Sequence, residues 1–434
     1  MSVACVDDFV DLLERSRLLK PEQLQELQRA LRFRHPEPRA LCRELERRGW
    51  LTSFQTHLLL RGQARHLLLG QYVLLKRLGQ GGMGQVFKAR HRILDRIVAI
   101  KVLRKEVLNR HPNAIQRFQR EVQAVAQVSH ANLVHAFDAD HCGSMHFLVM
   151  EYIEGVNVSR LVEETGPLPF AQACDYIRQA AEGLQHVHER GMVHRDIKPS
   201  NLLVAPAGEH AAGRAGASPW GALKILDLGL ARLSMADAEH AGEVTVDGSV
   251  MGSADYMAPE QARNSHLVDI RADLYSLGCT FYQLLTGEAP FAGGTFTEKL
   301  LKHQLHEPVR VELRRPAVPA RVAAIIHKLL AKSPDDRYQA PRELATALAS
   351  LQLPRAAAAC EGSTVFPSRA ITRDGNSSTC WAQVTAAALP GSVSRSKRAR
   401  HRAAARRRML ALGVAGTLLA VGVFVFTLLL RAAP

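Results

Sequence analysis

The sequence predicts an α+β chain, on three observations. Residues 1 to about 69 are polar and helix-periodic. From Tyr72 the pattern changes to short apolar strands punctuated by glycines, and from Leu161 to Arg190 it returns to amphipathic helix, with Pro167 and Pro169 punctuating its start. At 434 residues the chain exceeds one ordinary domain, so two or three regions are expected, and 47% apolar residues suffice to bury a core. The formal net charge is +15, but much of the excess sits in one block: Arg395, Lys397, Arg398, Arg400, Arg402, Arg406, Arg407 and Arg408. The remainder is only mildly basic, so no nucleic-acid-binding domain is required. Seven cysteines without a CxxC pair read as reduced thiols rather than disulfides or zinc ligands. Nineteen histidines show no HExxH or related ligand spacing and are treated as structural.

Within the first region, 1–69, Leu13 to Gln23 and Leu45 to Gln55 look related. Each ends one amphipathic helix, turns, and starts another. Pro21 suits a first helical position and Thr52 an N-cap. Two copies are too few for a solenoid. The segment reads either as a helical cap packed on the next domain or as a docking module; it carries no chemistry of its own.

The strand region opens with Tyr72 to Leu78 and runs into Gly79-Gln80-Gly81-Gly82-Met83-Gly84-Gln85-Val86. Glycines 79, 81 and 84 match GxGxxG, a pattern that dinucleotide folds share. A dinucleotide fingerprint opens a helix, however, whereas Val86-Phe87-Lys88-Ala89 continues as a strand. No Gly-Lys-Ser/Thr follows, so this is not a Walker A loop. A glycine-rich hairpin lets backbone amides approach phosphates because no Cβ intervenes. Next comes Val98-Ala99-Ile100-Lys101, an apolar β-branched run ending in a lysine that is costly to bury unless paired. A helix-like run from Ile115 to Val128 and a buried strand, Phe147 to Met150, complete this part.

The most informative stretch is His194-Arg195-Asp196-Ile197-Lys198-Pro199-Ser200-Asn201. Asp196 can accept a proton from a substrate hydroxyl, Lys198 can neutralise charge on a phosphate in flight, and Asn201 can hold a divalent metal. Phosphoryl transfer needs those roles, since its catalysis is mostly positioning and charge stabilisation. The octet resembles the catalytic loop of eukaryotic-type protein kinases, and Lys198-Pro199 resembles their serine/threonine branch. The other motifs of that family follow in order between about Tyr72 and Leu353, and the whole is similar to the bacterial Hanks-type enzymes.

The resemblance implies a bilobal protein kinase fold over 72–353, with a β-rich N-lobe and a helical C-lobe, ATP between them, and Mg2+, or Mn2+ in its place. It makes Leu78 to Val86 the nucleotide-covering loop and Ala99 part of the adenine site. Lys101 would hold the α- and β-phosphates, paired to Glu121. Met150 would be the gatekeeper, with the backbone of Glu151 and Ile153 bonding adenine. Asn201 and Asp227, the latter in Asp227-Leu228-Gly229, would hold the metal; Leu228 stands where the family usually has Phe. The insert Ala205 to Trp220 reads as a long surface turn between two strands. The activation segment would run from Asp227 to Glu260. Its end, Gly252 to Glu260, matches well, with Ser253 in place of the usual Thr. Arg195 before Asp196 implies a switch by phosphate on this segment, at Thr245 or Ser249. Asp273 would brace the catalytic loop, and Arg337 would pair with Glu260. A pseudokinase scaffold needs none of Lys101, Asp196, Asn201 and Asp227, and a small-molecule kinase does not need the segment through Ala258-Pro259-Glu260, so both fit the sequence less well.

Residues 355–394 are Ala/Ser/Thr/Gly-rich and read as a flexible linker. The basic block, 395–408, precedes 409–430, which is 22 residues without a charge. As a helix that run is roughly 33 Å long, enough to cross a bilayer. Arginines on its N-terminal side place the kinase in the cytoplasm by the positive-inside rule and would attract anionic lipids at about 1 kcal/mol per charge. The expectation is a single-pass, tail-anchored enzyme of the cell membrane, acting on protein substrates. Crowding at the membrane would favour self-association and trans-phosphorylation.

Overall fold

A computed structural model describes residues 3, 5–81, 84–105, 114–206, 218–228, 254–263 and 268–351. The chain divides into two compact units, Met1–Gly375 and Asn376–Pro434, and the described residues all belong to the first. The expected linker, basic block and apolar run 409–430 lie outside the described residues. Among those that are described, no helix is long and apolar enough to cross a membrane.

The chain begins with helices α1 (Val6–Ser16), α2 (Pro21–Glu26), α3 (Arg32–Arg34), α4 (Pro38–Arg47) and α5 (Ser53–Leu60), with a π-turn, Leu27–Leu31, joining α2 to α3. Phe9, Leu13, Leu27, Leu31, Leu41, Leu45 and Leu59 form their common core, which also takes in Val73 from the next region. The resemblance between Leu13–Gln23 and Leu45–Gln55 extends to the backbone. The pairs Val6 and Pro38, Arg17 and Gly49, Lys20 and Thr52, and Gln23 and Gln55 share one offset. Arg17 and Gly49 both close a helix in the left-handed region, at φ 51° and 69°. Lys20 and Thr52 then open the next helix, each with its N–H donated to the glutamine three residues on, at 2.9 Å in both copies. That bond satisfies a donor which the helix start leaves unpaired, and in the second copy alone it is reciprocal, Thr52 Oγ1 accepting the Gln55 N–H at 3.3 Å.

After a two-residue strand β1 (Leu68–Leu69), the strand lobe is built from β2 (Tyr72–Gly81), β3 (Gly84–His91), β4 (Ile97–Leu103), β5 (Ala136–Cys142) and β6 (Met145–Glu151). They form one antiparallel sheet in the order β1-β2-β3-β4-β6-β5, with α6 (Ala114–Ala126) against β5. A second small sheet, β7 (Val156–Asn157), β8 (Leu202–Ala205) and β9 (Ala222–Ile225), takes up the chain as it leaves the loop His194 to Asn201. The ends of the insert between β8 and β9 therefore meet as an antiparallel pair.

The helical lobe comprises α7 (Val158–Thr165), α8 (Phe170–His188), α9 (Pro259–Arg263), α10 (Ile270–Thr286), α11 (Phe296–Leu305), α12 (Val311–Arg314), α13 (Ala320–Leu329) and α14 (Pro341–Ala349). The helix expected over Leu161 to Arg190 divides in two where Pro167 and Pro169 punctuate it. Gly166 at φ 79° ends α7, and Pro169 precedes the first turn of α8. α10 is buried along nearly its whole length, and α8 and α13 pack on it. One continuous core joins Ala99, Phe118 and Met150 of the strand lobe to Tyr176, Leu184, Leu277 and Phe281 of the helical lobe.

Arg337 is the largest side chain buried in that lobe. Its guanidinium meets the Glu260 carboxylate at 2.6 and 2.9 Å and donates to the carbonyls of Ala331, Arg271 and Lys332 at 2.8, 2.9 and 3.0 Å. Removing one partner of such a pair leaves a buried charge uncompensated. Arg337→Met and Glu260→Gln should therefore each cost about 3–5 kcal/mol of stability in urea melts: the first strands a carboxylate that is 24% exposed together with three carbonyls, the second a guanidinium that is wholly buried.

Candidate active site

The loop from His194 to Asn201 connects α8 to β8 and is held from below by α10. Asp273, wholly buried, accepts the backbone N–H of His194 at Oδ2 and that of Arg195 at Oδ1, both at 2.7 Å. Burial pushes the Asp273 carboxyl above the usual carboxylate range, against the pull of His194 and the two amides. Arg195 sits at φ 68°, a left-handed conformation that a bulky side chain adopts only when its surroundings demand it. Its carbonyl accepts a further bond from Gln261 Nε2 at 2.9 Å. His194 Nε2 lies 2.8 Å from the carbonyl of Leu226. A carbonyl only accepts, so Nε2 carries the proton, which leaves Nδ1 to accept the Asp196 N–H at 3.3 Å.

Three side chains converge at the top of this loop. Asn201 donates from Nδ2 to the Asp196 carbonyl at 2.8 Å and to Asp196 Oδ2 at 2.9 Å. Lys198 Nζ reaches Asp196 Oδ2 at 2.8 Å. The carbonyl of Asn201 accepts from Leu226 N at 2.9 Å, which ties the loop to the residue before Asp227. Asp227, at φ 58°, pairs with Lys101 across the lobes at 2.9 Å. Burial raises the Asp227 carboxyl, but Lys101, with smaller help from His194 and Lys198, holds it below the usual range. Leu228 is buried in the main core.

Lys101 is buried on β4, where it stands opposite Val86 of β3 and Leu148 of β6. Ala99 stands opposite Met150, and both are buried. Glu121 is half-buried on α6, and Lys101 makes an ion pair with Asp227. Beyond Met150, the Glu151 N–H donates to the His135 carbonyl at 2.9 Å, and the Glu151 carboxylate meets Lys224 at 2.8 Å. Half-buried Ile153 follows in the chain between the lobes. Leu78 and Gln80 are exposed on β2, and Gln80 pairs in register with Gln85. Gly82, Met83, Thr245, Ser249 and Ser253 lie outside the described residues.

The glycines of the hairpin differ in what requires them. A Cβ on Gly84 would collide with the Val102 carbonyl of β4, while one on Gly79 or Gly81 would meet open space. Gly84 is thus demanded by strand packing, and the other two by no atom of the described residues.

Asn201 and Asp227 fit a hard divalent cation. Asn201 spends its amide N–H groups on Asp196, so its oxygen is the atom left to ligate, and Asp227 is held ionised. Mg2+ is normally held by one or two such oxygens, with waters and substrate phosphates completing the shell. The sequence motifs did not disclose Gln261 or Lys224, since single polar residues in a helix and a strand carry no local signature.

Gly84→Ala should lower the melting temperature markedly, because the Val102 carbonyl is backbone and cannot yield. Gly79→Ala and Gly81→Ala should leave it nearly unchanged. Any loss of nucleotide affinity in these last two, read by titration, then reports on how closely the ligand approaches the backbone.

A family model described as the protein kinase domain matches residues 72–348. The serine/threonine-protein kinase PknB of Mycobacterium tuberculosis is 37% identical over 281 residues, 64% of this chain and 42% of that protein. The serine/threonine-protein kinase PrkC of Bacillus subtilis is 36% identical over 275 residues, 63% of this chain and 39% of that protein. The chain thus spans well under half the length of the curated relatives it matches. A crystal structure of a double mutant of the Mycobacterium tuberculosis PknI kinase domain superposes with a TM-score of 0.50 at 23% identity, covering 65% of this chain and 96% of that one, which speaks for the fold alone. With a match over residues 72–348, on the sheet and catalytic loop just described, this chain belongs to the protein kinase family.

Proposed function

We propose that the chain is a serine/threonine protein kinase that transfers the γ-phosphate of ATP to hydroxyls of protein substrates. The observation that carries the reading is the convergence of Lys198 and Asn201 on one carboxylate oxygen of Asp196, at 2.8 and 2.9 Å. Asp196 would orient the attacking hydroxyl and take its proton, held at a fixed angle by Asn201. Lys198 would offset charge on the transferring phosphate. Lys101 would hold the α- and β-phosphates, with Glu121 as a second partner. The Glu151 N–H is already spent on His135, so an adenine contact there falls to the Glu151 carbonyl, with Ile153 supplying the donor. Mg2+ held by Asn201 and Asp227 would supply charge neutralisation at the phosphates. The names of PknB and PrkC, both serine/threonine kinases, support the hydroxyl specificity.

The proposal extends to location and control. The run 409–430 would anchor the enzyme in the membrane as a single span, with the basic block 395–408 on the cytoplasmic side. Autophosphorylation of the activation segment between neighbouring copies would switch it on through Thr245 or Ser249.

Radiolabelled ATP with the full chain tests the reading. Label should appear on the wild type and on a general Ser/Thr substrate protein, and Asp196→Asn should lower the rate by about 10²–10⁴-fold. Equal incorporation by the two proteins rejects Asp196 as the base. The double change Thr245→Ala, Ser249→Ala should lower turnover with ATP affinity intact; undiminished turnover removes the switch from these two positions.

A further inference from the structure

The helical unit that precedes the kinase domain grips β2, the strand that leads into the glycine hairpin. Thr52 Oγ1 donates to the Leu75 carbonyl at 2.6 Å, and Gln55 Nε2 donates to the Leu74 carbonyl at 2.9 Å. Gln55 is 3% exposed. Both side chains work twice, because Gln55 Oε1 also accepts the Thr52 N–H and Thr52 Oγ1 the Gln55 N–H.

The place they grip is an interruption in the sheet. β1 covers β2 only at Tyr72 and Val73, and on the other side the β2–β3 register shifts between Leu74 and Lys76. Such a bulge leaves a residue outside the ladder and bends the strand. Backbone carbonyls left there need partners, and α5 supplies both. Phe54 adds an apolar contact, its ring 6.0 Å from that of Phe87 on β3.

The duplication supplies an internal comparison. At the turn of the first copy the same backbone and the same glutamine cap recur, but Lys20 replaces Thr52 and Glu22 replaces Phe54, and both are exposed. A cap alone therefore needs neither a hydroxyl nor an aromatic ring. Those two differences fall on residues that touch β2 and β3.

We infer that Thr52 and Gln55 are positioning residues for the nucleotide: they set the bend of β2 at Leu74–Leu75 and thereby the height of the Gly79–Gly84 hairpin over the cleft. This rests on the reading of that hairpin as the ATP cover. The chain segment 1–69 is then a working part of the nucleotide site, acting on it through two hydrogen bonds to β2, five and four residues upstream of Gly79.

The test uses the full chain and two readouts, direct titration with a fluorescent ATP analogue and steady-state kinetics. Thr52→Val with Gln55→Leu should raise the analogue's Kd and the KM for ATP about five-fold or more, the weight of about one hydrogen bond, while the KM for the protein substrate stays put. Thr52→Ser should restore both. Gln23→Leu, the same cap in the first copy, should leave them unchanged. Should the double variant fail to fold, Thr52→Val alone carries the comparison, being close in shape. A lowered melting temperature with unaltered ATP Kd and KM would overturn the inference and leave a structural cap. Binding of the analogue without phosphate transfer by the wild type would reject the kinase reading while the Kd comparison still decides this one. No binding by the wild type would reject both.

Discussion

The site depends on one buried carboxylate. Asp273 fixes two consecutive amides, those of His194 and Arg195, from inside α10. A carboxylate in a core is costly unless each oxygen is bonded, and here both are. In return the peptide between His194 and Arg195 loses its freedom, and Arg195 is forced to positive φ. That turn sends Asp196 upward and swings the His194 imidazole inward to the Leu226 carbonyl. Leu226 in turn is bonded to Asn201 and precedes Asp227. A single acid thus places Asp196 and both metal-binding candidates, although it touches none of their side chains.

The charges of the cleft are arranged in the same economical way. A triphosphate entering a site with two aspartates would be repelled unless each were compensated. Lys198 stands at Asp196 and Lys101 at Asp227, each within 3 Å. Both pairs are partly screened from water, with the Lys101 side chain 7% and the Lys198 side chain 16% exposed, so their attraction exceeds that of a surface pair. The lysine of the strand lobe and the aspartate of the helical lobe also make the cleft's two walls one electrostatic unit, beside the apolar contact of Ala99 and Met150.

Much of this was legible because kinase chemistry demands certain residue types at short spacing. Asp196, Lys198 and Asn201 lie within one loop, and the glycines within one hairpin. Local rules also announced the Thr52 cap and the Pro21 start, since capping is decided within four residues. What stayed hidden was set by partners distant in sequence. Gln261 carries no motif, and its bond to Arg195 exists only because α9 folds beneath the loop. Gly84 reads in sequence like its neighbours Gly79 and Gly81, yet the Val102 carbonyl that requires it lies on the next strand.

The duplicated turn shows how such hidden demands can still leave a trace. Where two copies of one local structure stand in different surroundings, residues common to both answer to the local fold, as Gln23 and Gln55 do. Residues that differ answer to the surroundings. Lys20 and Glu22 face water; Thr52 and Phe54 face a strand and a ring. The exchange of a charged pair for a hydroxyl and an aromatic ring is the change expected when a solvent-facing turn becomes a buried contact. Comparison within the chain thus separates the cap that α5 needs for itself from the clamp that β2 needs from α5.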